Sequence, residues 1–470
     1  MTLRPYQVDM IDRVRAELRT NDSVMLQCPT GSGKTVMAAT MLQACANKGK
    51  RGMMLTHRVE ILQQASATFS KFQIKHGIIS AGFAPFLLAP IQIASIDTLR
   101  YRLNSARAVP RPDLLVIDEA HHTVAATWSN VKRHFSGVKV VGLSATPCRT
   151  DGKGLRDEFQ SMVLGPSIAE LIEHGFLSNY RAFAPPGPDM SGVHSRMGDY
   201  IKAEAAEIMD KPAIVGDAIS HYLKLARGKK FISRCVSVEH SKHVAEQFRA
   251  SGVPCWHVDG TTPRGERMQA MAALKSGDLT GLTNVDLFDE GVDVADVSVF
   301  IDQSPTKSLR KAMQGWGRVL RPMDGKVALI LDHAGNVARH GLPCADREWS
   351  LDGREERRKS AGDTAPPVRQ CPRCYHCHRP APTCPACGWS YEAKARQVDE
   401  VDGTLEEIDL EAVRRAEKYE RLQEQNKAKT LGELIEIGKK RGYQSPEKWA
   451  SHLFTARLAK KGLEKWRNRS

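Results

Sequence analysis

The residues Cys28-Pro29-Thr30-Gly31-Ser32-Gly33-Lys34-Thr35 follow the apolar run Val24-Met25-Leu26 and precede a helix-like stretch that starts at Val36. Glycines in such a loop let backbone N–H groups close around phosphate oxygens, and the helix start behind them adds a favourable partial charge. Lys34 supplies a cation and Thr35 a hydroxyl able to ligate Mg²⁺, so the segment reads as a phosphate-binding loop. Cys28 stands where the GxxxxGK(S/T) pattern has its first glycine, so the rest of the chain has to carry part of the argument. Leu115-Val116-Ile117-Asp118-Glu119-Ala120-His121-His122 sets two carboxylates at the end of an apolar strand. In a nucleoside triphosphatase Asp118 would hold Mg²⁺ through its water shell, and Glu119 would orient or deprotonate the attacking water. Carboxylate pairs at strand ends are commonly just solvated. One that follows a phosphate loop by a sheet's worth of sequence points to hydrolysis.

A third cluster could bind metal. Cys371-Pro372-Arg373-Cys374 and Cys384-Pro385-Ala386-Cys387-Gly388 are two CPxC knuckles that bring four thiolates to tetrahedral spacing, with Gly388 permitting the turn. That pattern indicates a structural Zn²⁺ site. His376, Cys377 and His378 lie between the knuckles and remain alternative ligands, ranked lower because only the outer four cysteines form matched knuckles. Four protein ligands leave no open position, so the metal is expected to fold a small module, not to catalyse. The chain has 11 cysteines, and those outside this cluster are scattered, which fits a reducing compartment better than a disulfide framework.

These residues need a scaffold. A chain of 470 residues exceeds one core and suggests roughly three units at about 150 residues each. Short β-branched runs alternate with helical patterns, as a parallel sheet with crossover helices requires. Candidate strands are 24–27, 51–56, 90–95, 114–117 and 138–143, and each ends just before a polar motif. Residues at the carboxyl ends of parallel strands line the crevice where ligands bind. A second alternating block has strands expected at 230–233, 253–258, 281–284, 297–301 and 326–332, with a helix at 241–250. The expected fold class is therefore α/β. The expected organisation is a first nucleotide-binding domain over 1–182, a linker over 183–210, a second α/β domain over 211–345, a linker over 346–367, the cysteine module over 368–392 and a helical tail over 393–470.

Motifs stand in a fixed order along the chain: Arg4-Pro5-Tyr6-Gln7, the phosphate loop, Thr56-His57-Arg58-Val59-Glu60, Asp118-Glu119-Ala120-His121, Ser144-Ala145-Thr146-Pro147, Thr283-Asn284 with Glu290-Gly291-Val292-Asp293, and Gln314-Gly315-Trp316-Gly317-Arg318-Val319-Leu320-Arg321. The series resembles the motif set of a superfamily 2 DEAD/DEAH-box helicase, and it covers roughly residues 1–340. That resemblance implies two tandem RecA-like domains and an ATP-dependent motor on nucleic acid. It implies that Gln7 contacts adenine, that Thr30, Gly31, Ser32, Gly33, Lys34 and Thr35 hold the phosphates and Mg²⁺, and that Gly291 and Asp293 join the nucleotide site beside the arginines Arg318 and Arg321. His121, Ser144 and Thr146 would couple nucleotide state to the nucleic-acid groove. Gln314, Arg318 and Arg321 would reach across from the second domain, the arginines stabilising charge on the transferred phosphoryl group. Superfamily 2 loops tolerate a non-glycine at the position of Cys28. The cysteine module and Asp332-His333-Ala334-Gly335-Asn336 extend the likeness to RadD-type and phage-encoded helicases, linked to DNA repair and replication.

The expected nucleic-acid contacts are Thr56, Arg58, Ser95 and Thr283, made to backbone phosphates with weak sequence preference. The net charge of +14 favours a polyanionic partner. DNA is favoured over RNA on the resemblance alone, with a replication or repair protein as a possible partner. The tail is acid-rich over 399–437 and basic over 439–470, where Tyr443, Trp449, Phe454 and Trp466 interleave with Lys and Arg. It reads equally as a strand-binding segment or as a small bundle whose Leu453, Leu458, Leu463 and Trp466 are core. A capping box is expected at Thr404 to Glu407. No run is long and apolar enough to span a bilayer and the N-terminus lacks a signal-peptide core, so the expected location is cytoplasmic. No nuclease motif is legible.

Overall fold

The computed structural model describes residues 2–105, 107–122, 131, 133–148, 154–287, 297–352, 367–391, 419–420, 422–443 and 445–467. Residues 1–392 form one compact unit and 393–470 another. The first lobe contains α1 (Pro5–Glu17), β1 (Ser23–Gln27), α2 (Lys34–Ala46), β2 (Gly52–Thr56), α3 (Val59–Lys71), β3 (Gly77–Ile79), β4 (Ile91–Ser95), α4 (Ile96–Asn104), β5 (Leu114–Ile117), β6 (Lys139–Ser144) and β7 (Ser161–Leu164). Its seven strands are all parallel, in the order β3-β4-β2-β5-β6-β1-β7. Strands β1, β2 and β4 are buried along their whole length, because helices cover both faces and leave no polar side to alternate with.

After α5 (Ile168–Glu173) come β8 (Asn179–Phe183), the hairpin β9 (Ser195–Arg196) and β10 (Asp199–Tyr200), α6 (Lys202–Met209) and α7 (Pro212–Leu225). The second lobe continues with β11 (Phe231–Cys235), α8 (Val238–Ala250), β12 (Cys255–Val258), α9 (Arg264–Ser276), β13 (Gly281–Asn284), β14 (Val299–Gln303), α10 (Leu309–Val319), β15 (Val327–Asp332) and α11 (Asn336–His340). Strands β16 (Arg369–Gln370) and β17 (His376–His378) follow. The sheet order is β12-β13-β11-β14-β15-β8-β17-β16, parallel through β8 and antiparallel beyond it. The cysteine module thus extends the second sheet.

Three expected boundaries differ from the structure. The first domain was expected to run to 182, but Asn179–Phe183 pairs with β15 in the second sheet, with Ala182 and Phe183 in its core. The expected linker 183–210 is packed: Met190, Val193, Ala205 and Met209 bury against Val236. In the expected linker 346–367, Leu351 returns to the first lobe and packs with Leu155 and Phe159, its carbonyl accepting from Leu155 N at 2.7 Å. Each difference arises where a few apolar residues sit in a stretch whose composition is otherwise polar or Pro/Gly-rich.

The second unit contains α12 (Leu431–Lys440) and α13 (Pro446–Arg467). Leu434 and Ala450 are its buried centre, with Trp449, Leu453 and Phe454 packed on them. The Trp449 ring also meets Tyr443 edge-on at 5.0 Å. A capping box forms at Thr430 and Glu433, whereas the one expected at Thr404 lies outside the described residues, as do Gly291 and Asp293 and the side chains of Leu458, Leu463 and Trp466. Among the described residues no helix is long and apolar enough to cross a membrane.

A buried ion pair fixes the start of α10. Arg234 at the end of β11 donates to both oxygens of Asp302 at the end of β14, at 2.9 Å each, and its Nη1 donates to the carbonyl of Lys311 at 2.8 Å. Asn336 Nδ2 adds a second side-chain partner for Asp302 at 3.0 Å. Both charges are almost fully buried, so removing one partner strands the other. Asp302→Ala is expected to cost about 3–5 kcal/mol of second-lobe stability, read from the denaturant midpoint of the full chain.

Candidate functional site

The phosphate loop joins β1 to α2. Gly31 and Gly33 take φ of 87° and 84°, a left-handed backbone that side chains resist, and Gly33 is the N-cap of α2. Lys34 curls over the loop and its Nζ donates to the carbonyls of Cys28 at 3.2 Å and Pro29 at 3.4 Å. Cys28 is fully buried, its Sγ lies 3.6 Å from Met10 Sδ, and burial pushes its thiol up to about 11. It is a packing residue held neutral, which accounts for a non-glycine at that position.

Gln7 sits against the same loop. Its Nε2 donates to the Ser32 carbonyl at 2.9 Å, and its Oε1 accepts from Arg4 N at 3.0 Å. Tyr6 donates to the Ser32 carbonyl at 2.7 Å. Phe176 completes the group: the Tyr6 ring lies 5.2 Å from it and the Arg4 guanidinium sits 4.8 Å over its face. Sequence reasoning missed Phe176 and did not single out the Tyr6 side chain, because an aromatic residue between two lobes has no local pattern to betray it.

The carboxylates lie where β5 ends. Asp118 is buried and its Oδ1 accepts from Glu119 N at 3.1 Å, while Glu119 holds a left-handed φ of 48°. Such a conformation costs of order 1 kcal/mol or more and is tolerated where the surroundings over-determine it. His121 Nδ1 is 3.4 Å from Glu119 Oε2 and 3.2 Å from Ser144 Oγ, and Ser144 Oγ in turn accepts from Thr146 N at 3.2 Å. Residues expected to couple nucleotide state to the groove therefore form one contiguous row. Thr146 Oγ1 is buried with no partner among the described residues.

The second lobe reaches the loop through α10. A Cβ placed on Gly317 would meet Thr30 Cβ at 2.6 Å, so the helix backbone lies directly on the phosphate loop. Arg321 Cγ comes within 3.7 Å of where a Gly31 Cβ would be, and burial lowers the Arg321 pKa from its ordinary value. Gln314 is buried with both amide atoms unpartnered among the described residues, and Arg318 is buried one turn on. A cavity of about 190 Å³ borders the loop, lined by Pro29, Thr30, Gly317, Gln27, Glu170 and Met313 among others, and Lys34, Asp118 and Glu119 are not in its lining.

The expected nucleic-acid contacts are not assembled as side chains. Thr56 and Thr283 are fully buried, and Thr283 Oγ1 donates to the Ser241 carbonyl at 2.8 Å. Ser95 caps α4 by accepting from Thr98 N. Arg58 is the N-cap residue of α3 and is half-buried. Polar residues at strand ends are consumed by the helix starts and turns that follow them, so the Thr56, Ser95 and Thr283 side chains are buried here, while Arg58 stays half-buried.

In the cysteine module the two knuckles are built alike. Tyr375 N donates to Cys371 O and Gly388 N to Cys384 O, both at 2.9 Å. Cys371 N donates to His376 O at 3.0 Å and Cys384 N to Trp389 O at 2.8 Å. Tyr375 takes, at φ 59°, the left-handed turn that Gly388 takes at 71°. The four thiols lie within 4.8 Å of one another. Cys371 and Cys387 are 3.6 Å apart and Cys374 and Cys384 3.7 Å. A tetrahedron with metal–sulfur bonds of about 2.3 Å has edges near 3.8 Å, so the set fits a single ion. Desolvation opposes ionisation, yet the N–H groups of Cys374 and Arg373 and the neighbouring thiols draw Cys371 down to about 6. The alternatives are otherwise engaged: Cys377 packs into the second-lobe core, His378 bonds Tyr391 Oη and Arg379 O, and His376 meets Phe183 edge-on and stacks on His378.

A family model described as type III restriction enzyme, res subunit matches residues 1–149, and one described as helicase conserved C-terminal domain matches residues 211–323. A Lactococcus phage protein named for its mass of 51.5 kDa is 33% identical over 74% of this chain and 74% of its own. A Saccharomyces cerevisiae protein provisionally named ATP-dependent helicase IRC3 is 27% identical over 68% of this chain, which spans 49% of that relative's length. The DNA 3'-5' translocase XPB2 of Sulfurisphaera tokodaii is 21% identical over 70% of this chain and 80% of its own. In fold, a fragment described as an HsdR subunit of a type I restriction enzyme from Vibrio vulnificus superposes with a TM-score of 0.56 at 20% identity, covering 72% of this chain and 65% of its own. Saccharomyces cerevisiae Dbp5 bound to RNA and ADP BeF3 gives 0.51 at 12% identity, covering 72% and 90%.

The ligand assignment is open to a direct measurement. Cys384→Ser is expected to abolish stoichiometric zinc in the purified full chain, whereas Cys377→Ser keeps it. Metal analysis that found zinc lost in both would return Cys377 to the ligand set.

Proposed function

Because the chain belongs to the superfamily 2 ATP-dependent helicases, we propose that it is a DNA helicase or translocase whose nucleotide site is divided between its two lobes. The observation that carries this reading is the seating of α10 on the phosphate loop, with Gly317 against Thr30. In it, Lys34 and the loop N–H groups hold the β- and γ-phosphates of ATP. Thr35 and Asp118 hold Mg²⁺, which neutralises phosphate charge when bound. Glu119 orients the attacking water, and Arg318 and Arg321 grip the γ-phosphate from the other lobe. Gln7, Tyr6 and Phe176 form the side on which adenine rests. Loss of the γ-phosphate removes what the arginines hold, so the lobes part, and alternation between two grips on a strand becomes stepping.

The four-cysteine centre is assigned Zn²⁺. A DNA substrate is supported by the translocase named above and by the net charge of +14. Repair, replication or recombination is the process in which such a motor would serve. An RNA motor, or an ATP-driven remodeller that displaces protein without separating strands, would share the same nucleotide site.

Lys34→Ala and Glu119→Gln are each expected to lower ATP turnover by at least about 100-fold, and Glu119→Gln retains ATP binding. Unchanged turnover in either variant contradicts the mechanism. ATPase activity is expected to rise most with single- or double-stranded DNA. Stimulation by RNA alone would select the RNA reading, and translocation without strand displacement would separate the motor from a helicase.

A further inference from the structure

Between α7 of the second lobe and the first cysteine knuckle lies a hollow of about 180 Å³. Arg181, Lys224 and Arg373 stand at its edge, one each from β8, α7 and the knuckle. All three are exposed, and among the described residues none makes an ion pair and no carboxylate lines the space; the Arg181 guanidinium lies 5.0 Å over the Phe183 ring. Three cations from three separate elements at one rim make it electropositive and favour an anion there.

The floor is made of rings. His221 stacks on His333 at 5.1 Å and 27°, and Tyr375 meets His221 edge-on at 6.0 Å. Burial pushes His333 down to about 3 and lowers His221 as well, so burial disfavours added charge on both rings, which present aromatic faces to the hollow. Tyr375 is held in place by its left-handed backbone and by its N–H bond to Cys371 O. The volume is below that of an ordinary drug-sized pocket and suits a single ring system.

Cations beside stacking rings are the chemistry that takes hold of single-stranded nucleic acid without reading its sequence. We propose that the hollow between α7, β8 and the cysteine module is a strand-binding site that takes one nucleotide, its phosphates on Arg181, Lys224 and Arg373 and its base against Tyr375 and His221. An acidic protein segment would use the cations but leave the rings idle, so the observations favour nucleic acid. The site rests on the reading of the chain as a nucleic-acid motor and deepens it: the cysteine module holds the strand and is more than a fold-stabilising appendage.

The test uses the zinc-loaded full chain and a labelled oligodeoxythymidylate, with affinity measured by anisotropy over a salt series. Arg181→Ala with Lys224→Ala is expected to weaken binding roughly 10-fold and to flatten the slope of log affinity against log salt by about 1.4, as two lost phosphate contacts require. Tyr375→Ala is expected to weaken binding with the slope unchanged, and Arg181→Lys is expected to retain most of the affinity. Zinc content and thermal midpoint equal to the parent's show that each variant is folded. Parental affinity and slope in the double variant overturn the site. Loss of poly-glutamate binding with oligonucleotide binding intact also overturns it, in favour of an acidic protein partner. A parent chain that binds no oligonucleotide at all defeats the motor reading instead, and the two failures are thereby distinguished.

Discussion

Everything in the motor half of this chain depends on the contact between Gly317 and Thr30. A helix backbone rests on a phosphate loop with no room for a single added carbon. Packed interiors respond to one methylene, so two surfaces this close move together or separate outright. The loop belongs to one sheet and the helix to another, and neither lobe alone contains both the lysine and the arginines. Chemistry that needed both sides would therefore be possible only in one relative placement of the lobes, which is the physical requirement for turning hydrolysis into motion.

That requirement shifts the burden to whatever fixes α10. Arg234 and Asp302 are nearly free of solvent, and desolvating two charges is costly unless their geometry and extra hydrogen bonds compensate. Here the guanidinium bridges both carboxylate oxygens and still reaches the Lys311 carbonyl, so the ion pair is spent on placing the first turn of the helix. Ser308 caps that turn by accepting from Lys311 N. Asp199 adds a partner from outside the sheet, its carboxylate accepting from Thr306 Oγ1, Lys307 N and Lys311 Nζ. These interactions make no contact with a phosphate, yet they decide where Gln314, Arg318 and Arg321 stand.

The legible part of the sequence was the part governed by local rules. The strands Leu114–Ile117 and Gly281–Asn284 matched to the residue, the first because a parallel strand buried on both faces reads as a continuous apolar run, the second although it ends on the polar Thr283 and Asn284. The loop, Asp118 and Glu119 were legible because their chemistry demands fixed neighbours. The four cysteines were legible by spacing, and the rivals between them were excluded only by packing, with Cys377 in a core and the His378 ring occupied on both nitrogens. What could not be read was non-local. Nothing in Asn179–Phe183 announces its partner strand more than a hundred residues away, and nothing in Leu351 announces a return to the first lobe. Thr56, Ser95 and Thr283 looked like ligand contacts because they are polar at strand ends. Their burial follows from the turns and helices that start there.

The placement of β8 changes what the cysteine module is. The segment before it runs along the nucleotide site: Leu177 lies 3.0 Å from where a Gly31 Cβ would be, Phe176 packs on Tyr6, and Ser178 bonds the carbonyls of Leu320 and Arg321. Two residues later the chain enters β8, whose free edge is covered by β17 of the module. Spatial succession is not itself coupling, which needs an element with two arrangements that both sites bias. An opening cleft would be one, since opening it must pull Leu177 from the loop or Ser178 from Arg321. A hydrogen-bonded strand cannot shift at one end alone, so whichever contact yields determines whether the module follows the first lobe or the second. Its edge pairing to β8, and through β8 to β15, binds it to the second lobe; a strand held at Arg181 and Arg373 would then travel with α10 and its arginines, away from the phosphate loop as the cleft opens.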